Sequence, residues 1–253
     1  MIKLLSILKE IASKPKAIFL AGSAGSGKTY IIKQFPSLNK FNIINVDDKY
    51  EELLKASGLS MSHKDFGPEE LSKAAKLMGQ ARSSTREKYT QYTQEKQNIV
   101  IDSTGGAIKP ILNKKRELEE LGYETMMLMI YVSPVTSLER NVSRERALLP
   151  QVVLRTWRDA NKNIDGYREA FGDKFILINN NSKDAEINYN PKDIKKRFFD
   201  TAKFKGKDKT PDEQDKALSD KEQLNNDINQ LIKQLPQFNT MEDAKSTLNA
   251  FIQ

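Results

Sequence analysis

Cysteine is absent from this chain, and histidine occurs once, at position 63. No disulfide can form, no thiolate metal site can be built, and one imidazole cannot make the clusters that hold zinc. Tryptophan is as scarce, while 38% hydrophobic and 30% charged residues fit a soluble globular protein. Long apolar runs are missing too. The longest, MMLMIYV at 126–132, falls far short of the about 20 residues that a membrane-spanning helix needs. The opening MIKLLSILKEIA is interrupted by Lys3, Lys9 and Glu10, which does not suit a signal peptide. Its Ile2, Leu5, Leu8 and Ile11 recur at helical spacing and predict a short amphipathic helix over 1–14, packed on the domain behind it. A cytoplasmic protein with no membrane partner is expected. Nor does one sign of charge dominate: 41 basic and 34 acidic residues are interspersed, for a net +7. A cleft for phosphorylated ligands would account for that surplus; nucleic acid is admitted as a partner without being indicated.

What the chain does have is GSAGSGKT, Gly22, Ser23, Ala24, Gly25, Ser26, Gly27, Lys28 and Thr29, between the apolar AIFLA and the helix-like YIIKQF. The spacing G-x-x-x-x-G-K-[ST] between a strand and a helix is that of a phosphate-binding loop. Gly22, Gly25 and Gly27 let successive backbone N–H groups turn inward around a polyphosphate. Lys28 is expected on the β- and γ-phosphates, and the Thr29 hydroxyl on Mg²⁺. The implied cofactors are ATP or GTP with Mg²⁺.

Strand-like runs at 17–21, 41–46, 98–102, 125–132 and 174–179 alternate with helical patterns at about 28–35, 48–57, 69–95, 109–121, 134–147 and 151–170. Such alternation predicts an α/β P-loop NTPase fold: a parallel five-stranded sheet flanked by helices, with ligands at the carboxyl ends of the strands. After the second strand, NVDDKYE puts Asp47 and Asp48 at that rim. Asp47 is read as the general base that takes the proton of an acceptor hydroxyl, and Asp48 as the helix-terminal residue. After the third strand, Asp102 in IVIDSTGG stands where a Mg²⁺-holding or acceptor-side carboxylate would lie, with Ser103 and Thr104 beside it; the same stretch also reads as a plain turn. LERNVSRERALLP carries Arg140, Arg144 and Arg146 before the helix break at Pro150. A guanidinium placed against a transferring phosphoryl group accelerates transfer on the order of a thousandfold or more.

GSAGSGKT followed by INVDD resembles the P-loop kinases of the zeta-toxin and polynucleotide-kinase type. NIVIDSTGG, LEELGYETMMLMIYV and LERNVSRERALLP resemble zeta-toxin-like kinases often encoded by bacteriophages. The likeness covers about residues 15–180. It implies that Asp47 is the catalytic base, and that Arg144 and Arg146, with Arg140 behind them, stand where similar kinases carry their lid arginines. It also implies that the long stretch 58–97, with Arg82 and Arg86 near its middle, shapes the acceptor pocket. Polynucleotide kinases tend to carry an arginine three residues after the base; here Tyr50 stands there, which weighs against a polynucleotide 5′-hydroxyl acceptor.

Three tempting signals carry little. Asp65–Gly67 spells DFG without the accompanying protein-kinase loops. Asn141 opens an N-x-S sequon without a secretory signal. Trp157 lies on a helical pattern with Val153 and Leu154 and reads as a core or interface anchor rather than a base-stacking platform.

The kinase domain is expected over 15–190 and a helical extension over 191–253, with a polar linker around 204–216. In the extension, Leu224, Ile228, Leu231 and Leu235 form one stripe and Met241, Ala244, Leu248 and Phe251 another. These stripes are expected to dock on the kinase, on a second copy or on a partner. The reading is an ATP-dependent phosphotransferase moving the γ-phosphate of Mg-ATP to a hydroxyl of a small metabolite, nucleotide or nucleotide sugar. Polynucleotide and nucleoside monophosphate kinases are alternatives within the class. A nucleotide-binding switch or structural protein, such as a phage component, is the alternative outside it.

Overall fold

The computed structural model describes residues 14–61, 66–144, 146–182, 190–199, 211–234 and 236–252. The expected helix over 1–14 falls almost wholly outside them, as do His63, Asp65 and Leu235. Five parallel strands, β1 (Lys16–Ala21), β2 (Asn42–Ile44), β3 (Ile99–Ser103), β4 (Glu124–Tyr131) and β5 (Phe175–Asn179), lie in the order β2-β3-β1-β4-β5. Alternate residues of β1 serve opposite faces: Ala17, Phe19 and Ala21 belong to one core, Ile18 and Leu20 to the other. A sheet buried on both faces needs such continuous apolar strands, which is why these runs stood out.

Most connections are helical: α1 (Lys28–Lys33), α2 (Val46–Ala56), α3 (Pro68–Gln94), α4 (Ile108–Glu120), α5 (Pro134–Val142), α6 (Pro150–Asn161) and α7 (Ile164–Phe171). Proline opens α3, α5 and α6, where its missing N–H costs nothing. Two expected helices are shorter. The one expected over 134–147 stops at Val142, because buried Asn141 turns its amide to the backbone N and O of Leu148, at 2.9 and 2.8 Å. That pair closes the following loop, so Asn141 is a structural staple and its own side chain is buried, although Val142 beside it is exposed. The helix expected over 151–170 is divided at Asn163, whose amide donates to Asp159 O at 2.8 Å and to Gly105 O at 3.1 Å. On α3 the buried positions are Ala74, Ala81, Thr85, Tyr89 and Thr93, whereas Leu71 in its first turn is 50% exposed. Trp157 is fully buried, its indole N–H donating to Val132 O at 2.7 Å, as a core anchor should.

The C-terminal segment departs most from expectation. Helix α8 (Pro191–Ile194) is followed beyond the undescribed stretch by α9 (Pro211–Lys233) and α10 (Met241–Ile252). Because α9 begins at Pro211, residues 211–216 are helix where a polar linker was expected. Leu224 and Ile228 join the core on one face of the sheet; Ala244, Leu248 and Phe251 join the core on the other. Between these helices, Asn239 donates its N–H to Leu177 O and accepts from Leu177 N, both at 2.8 Å, so the connection pairs with β5 and blunts that edge. Of the three docking partners expected for these apolar stripes, the kinase itself, a second copy or another protein, the chain's own sheet takes up Leu224, Ile228, Ala244, Leu248 and Phe251.

Truncation after Asn190 is accordingly expected to break the fold. Losing Leu224, Ile228, Leu248 and Phe251 removes side chains whose burial is worth roughly 1.5–3 kcal/mol each. That sum rivals the about 5–15 kcal/mol net stability of a whole domain. Thermal unfolding and light scattering should show a loss of at least 10 °C or aggregation, using the rough conversion of stability into midpoint. A soluble truncated monomer with an unchanged midpoint would contradict this packing.

Candidate active site

The loop after β1 takes its shape from close packing. Gly25 and Gly27 have φ of 77° and 83°, a region that disfavours side chains. A Cβ on Gly25 would stand 2.5 Å from Ser137 O, and one on Gly27 would strike the Asn180 amide. The partners they approach also hold the loop: Ser137 Oγ donates to Ala24 O, and Asn180 Nδ2 to Ser26 O at 2.8 Å. Arg140 in turn donates to Asn180 O at 2.8 Å, so it braces the loop's support. Gly22 and buried Ser26 lie beneath, where a Cβ on Gly22 would meet Ser26 Oγ at 2.5 Å. Ser23, Ala24, Gly25, Gly27, Lys28 and Thr29 face a cleft of about 410 Å³.

Strand register brings the carboxylates to that cleft. Leu20 pairs with Asp102 and Ala21 with Ser103, placing Asp102 beside the start of the loop. Ile44, the last residue of β2, pairs with Ile101, which puts Asn45 next to Asp102. Asn45 Nδ2 donates to Asp102 Oδ2 at 2.9 Å, while Asn45 Oδ1 accepts from Asp47 N at 2.8 Å and Asp48 N at 3.4 Å. The helix cap is thus Asn45, and Asp48, expected at the terminus, joins Asp47 in the first turn. An asparagine shortly before first-turn acids is ordinarily a cap signal, but here Val46 stands between them and extended the apparent strand past Asn45, which hid it.

Asn45→Ala should therefore cost about 1 kcal/mol, the usual loss for a cap, and free the helix that carries Asp47. Chemical denaturation of the two proteins measures it, and identical midpoints would remove Asn45 from this role.

Lys28 Nζ donates to Gly22 O at 2.7 Å and lies 3.9 Å from Asp102 Oδ1. Burial lowers the Lys28 pKa, Asp102 works against that shift, and the nearby Arg144 adds to it. Burial pushes the Asp102 carboxyl up to about 6; Lys28 opposes this, and Asp48 and Asp47 reinforce it. Burial, with Asp47 behind it, also raises Asp48. Asp102 Oδ1 is buried without a hydrogen-bond partner.

The arginines divide the cleft between them. Arg144, Arg146 and Arg140 all line it. Arg144 lies just past α5 rather than on it, near enough to Lys28 to affect its charge. Arg146 meets Asp47 Oδ1 at 2.9 Å and Glu51 Oε1 at 3.2 Å. Thr104 accepts from Gly106 N at 3.3 Å, so part of the turn reading holds for that stretch, although Ser103 and Thr104 also line the cleft. Arg82 and Arg86 point to solvent on α3. A second cavity of about 200 Å³ shares Asn45 and Asp48 with the cleft and adds Lys49, Glu52, Thr85 and Lys88. Among the described residues no cluster of three or more His, Asp or Glu side chains could hold a metal unaided.

The sequence model of the zeta toxin family matches residues 4–202. The chain belongs to the zeta toxin family. No curated protein matches it. Among solved structures similar to this zeta toxin family member, a chain of the AvrRxo1-ORF1:AvrRxo1-ORF2 complex with sulphate ions shares 14% identity, with 99% of this chain and 84% of that chain covered and a TM-score of 0.54. The same complex with ATP also gives 14% identity and the same coverage, with a TM-score of 0.53. A chain of the PezAT toxin–antitoxin system of Streptococcus pneumoniae gives 18% identity, covering 90% of this chain and 94% of that one, at a TM-score of 0.48. Family membership and fold support a nucleotide-dependent P-loop kinase. Among the described residues no helix is long and apolar enough to cross a membrane.

Proposed function

We propose that this zeta toxin family member transfers the γ-phosphate of Mg-ATP to a hydroxyl of a small metabolite, nucleotide or nucleotide sugar. The observation that carries the reading is the presence of Asp47 in one cleft with the phosphate-binding loop. A protein that only held a nucleotide would need no carboxylate opposite the loop. Lys28 and the loop amides bind the polyphosphate, Arg144 offsets its charge, and Asp47 accepts the acceptor's proton. The AvrRxo1 complex of similar fold, solved with ATP, supports the choice of nucleotide.

Magnesium fits this site. Thr29 and Asp102 offer the hard oxygen ligands that Mg²⁺ prefers, and Asp102 Oδ1 is a buried oxygen with no hydrogen bond to give up. When bound with the nucleotide, the ion neutralises charge on the phosphate oxygens. The adjoining cavity is polar and charged, as a hydroxyl-rich acceptor requires, and its Lys88 comes from α3.

Transfer of labelled γ-phosphate to pooled metabolites, nucleotides and oligonucleotides tests the proposal. A labelled small molecule supports it, and a labelled oligonucleotide end would move the acceptor to nucleic acid. Tight Mg-ATP binding with no transfer to any acceptor would favour a nucleotide-dependent switch instead.

A further inference from the structure

The cation that reaches Asp47 comes from across the cleft, 99 residues further along the chain. Arg146 places Nη2 at 2.9 Å from Asp47 Oδ1 and Nε at 3.2 Å from Glu51 Oε1, and its guanidinium lies 5.7 Å from the centroid of the Tyr50 ring. Asp47 and Glu51 are one turn apart on α2, and the guanidinium between them relieves their repulsion. The Arg146 side chain is 12% exposed and that of Asp47 61%. The cation is therefore the anchored member of the pair, and the carboxylate is the member being held. Its loop is anchored as well, since Asn141 binds both backbone groups of Leu148 two residues beyond.

We infer that Arg146 is a positioning residue for Asp47 rather than a cation on the transferring phosphoryl group. It holds Asp47 through Oδ1 and leaves Oδ2, which makes no hydrogen bond or ion pair among the described residues, for the acceptor. As the acceptor oxygen bonds to the γ-phosphorus and the bond to the nucleoside diphosphate breaks, the acceptor proton passes to Oδ2. The leaving diphosphate keeps the bridging electron pair. Arg144, at the Lys28 end of the cleft, is left as the arginine for the phosphates. A planar guanidinium suits the positioning task because it can meet two carboxylates and a ring face at once, which an ammonium cannot. This inference rests on the reading of Asp47 as the base.

A double-mutant cycle tests it without a known acceptor, using γ-phosphate release from Mg-ATP to water, whose attack also gives up a proton. Arg146→Gln should lower kcat roughly ten- to hundredfold, the loss typical of a misplaced catalytic group, with the nucleotide KM unchanged. Arg146→Lys should recover part of that loss. In an Asp47→Asn background, Arg146→Gln should add at most about twofold, because the residue it serves is already gone. A crystal structure with Mg²⁺ and a non-hydrolysable ATP analogue should keep Arg146 on Asp47 and Glu51, and decides the matter if hydrolysis is too slow to follow. Multiplying losses, or Arg146 on a γ-phosphate oxygen, would overturn the inference while leaving the kinase reading intact. Full turnover in Asp47→Asn alone would remove the base assignment, and the positioning role with it.

Discussion

Asp47→Asn is expected to cut phosphoryl transfer by about a hundredfold or more, the range for losing a general base, while nucleotide binding persists. The amide is nearly isosteric, and its oxygen can still accept from Arg146 Nη2, which now meets Asp47 Oδ1 at 2.9 Å. The first turn of α2 is held by Asn45 rather than by the Asp47 side chain, so the helix stays capped. What disappears is an oxygen able to take a proton. Steady-state transfer, with nucleotide affinity measured on the same protein, separates the two effects. Asp48→Asn is the essential control, because Asp48 lines both the cleft and the adjoining cavity. Loss of transfer in Asp48→Asn but not in Asp47→Asn would reverse the assignment.

Lys28→Ala should weaken Mg-ATP binding roughly ten- to hundredfold, corresponding to charge-assisted hydrogen bonds worth about 1.5–3 kcal/mol. Its ammonium is held at the mouth of the loop by Gly22 O, ready to reach a polyphosphate. The variant also leaves Asp102 without its nearest cation, 3.9 Å away. Gly25 and Gly27 keep their packing against Ser137 and Asn180, so the loop itself should survive. Calorimetric titration with Mg-ATP, checked by thermal unfolding, measures this. Unchanged affinity in a folded variant would take Lys28 and its loop out of the mechanism.

The phosphate-binding loop and the five strands were legible because each is a contiguous signal. Glycine spacing reports backbone freedom, and uninterrupted apolar runs report burial on both faces of a sheet. Helix ends were less legible. Asn141 and Asn163 end or divide helices through hydrogen bonds to Leu148 and Gly105, and the second of these partners is 58 residues away. The first-turn acids were visible at Asp47 and Asp48, but their cap was not. Asn45 reads as strand until β3 stops pairing at Ile101 and Asp102 claims its amide.

Composition and local pattern were enough for the absence of disulfides, the α/β class, the loop and the acids at the end of β2, since each depends on neighbours within a few residues. The partners of Arg146 and the fate of the C-terminal stripes depended on distant pairings. An amphipathic stripe states that a helix needs an apolar partner and says nothing of which one; the sheet's two faces offered that partner at Ile228 and Leu248. A guanidinium likewise carries its charge in any context, but whether it meets phosphate or carboxylate depends on which side chains the fold sets across the cleft. Here they are Asp47 and Glu51.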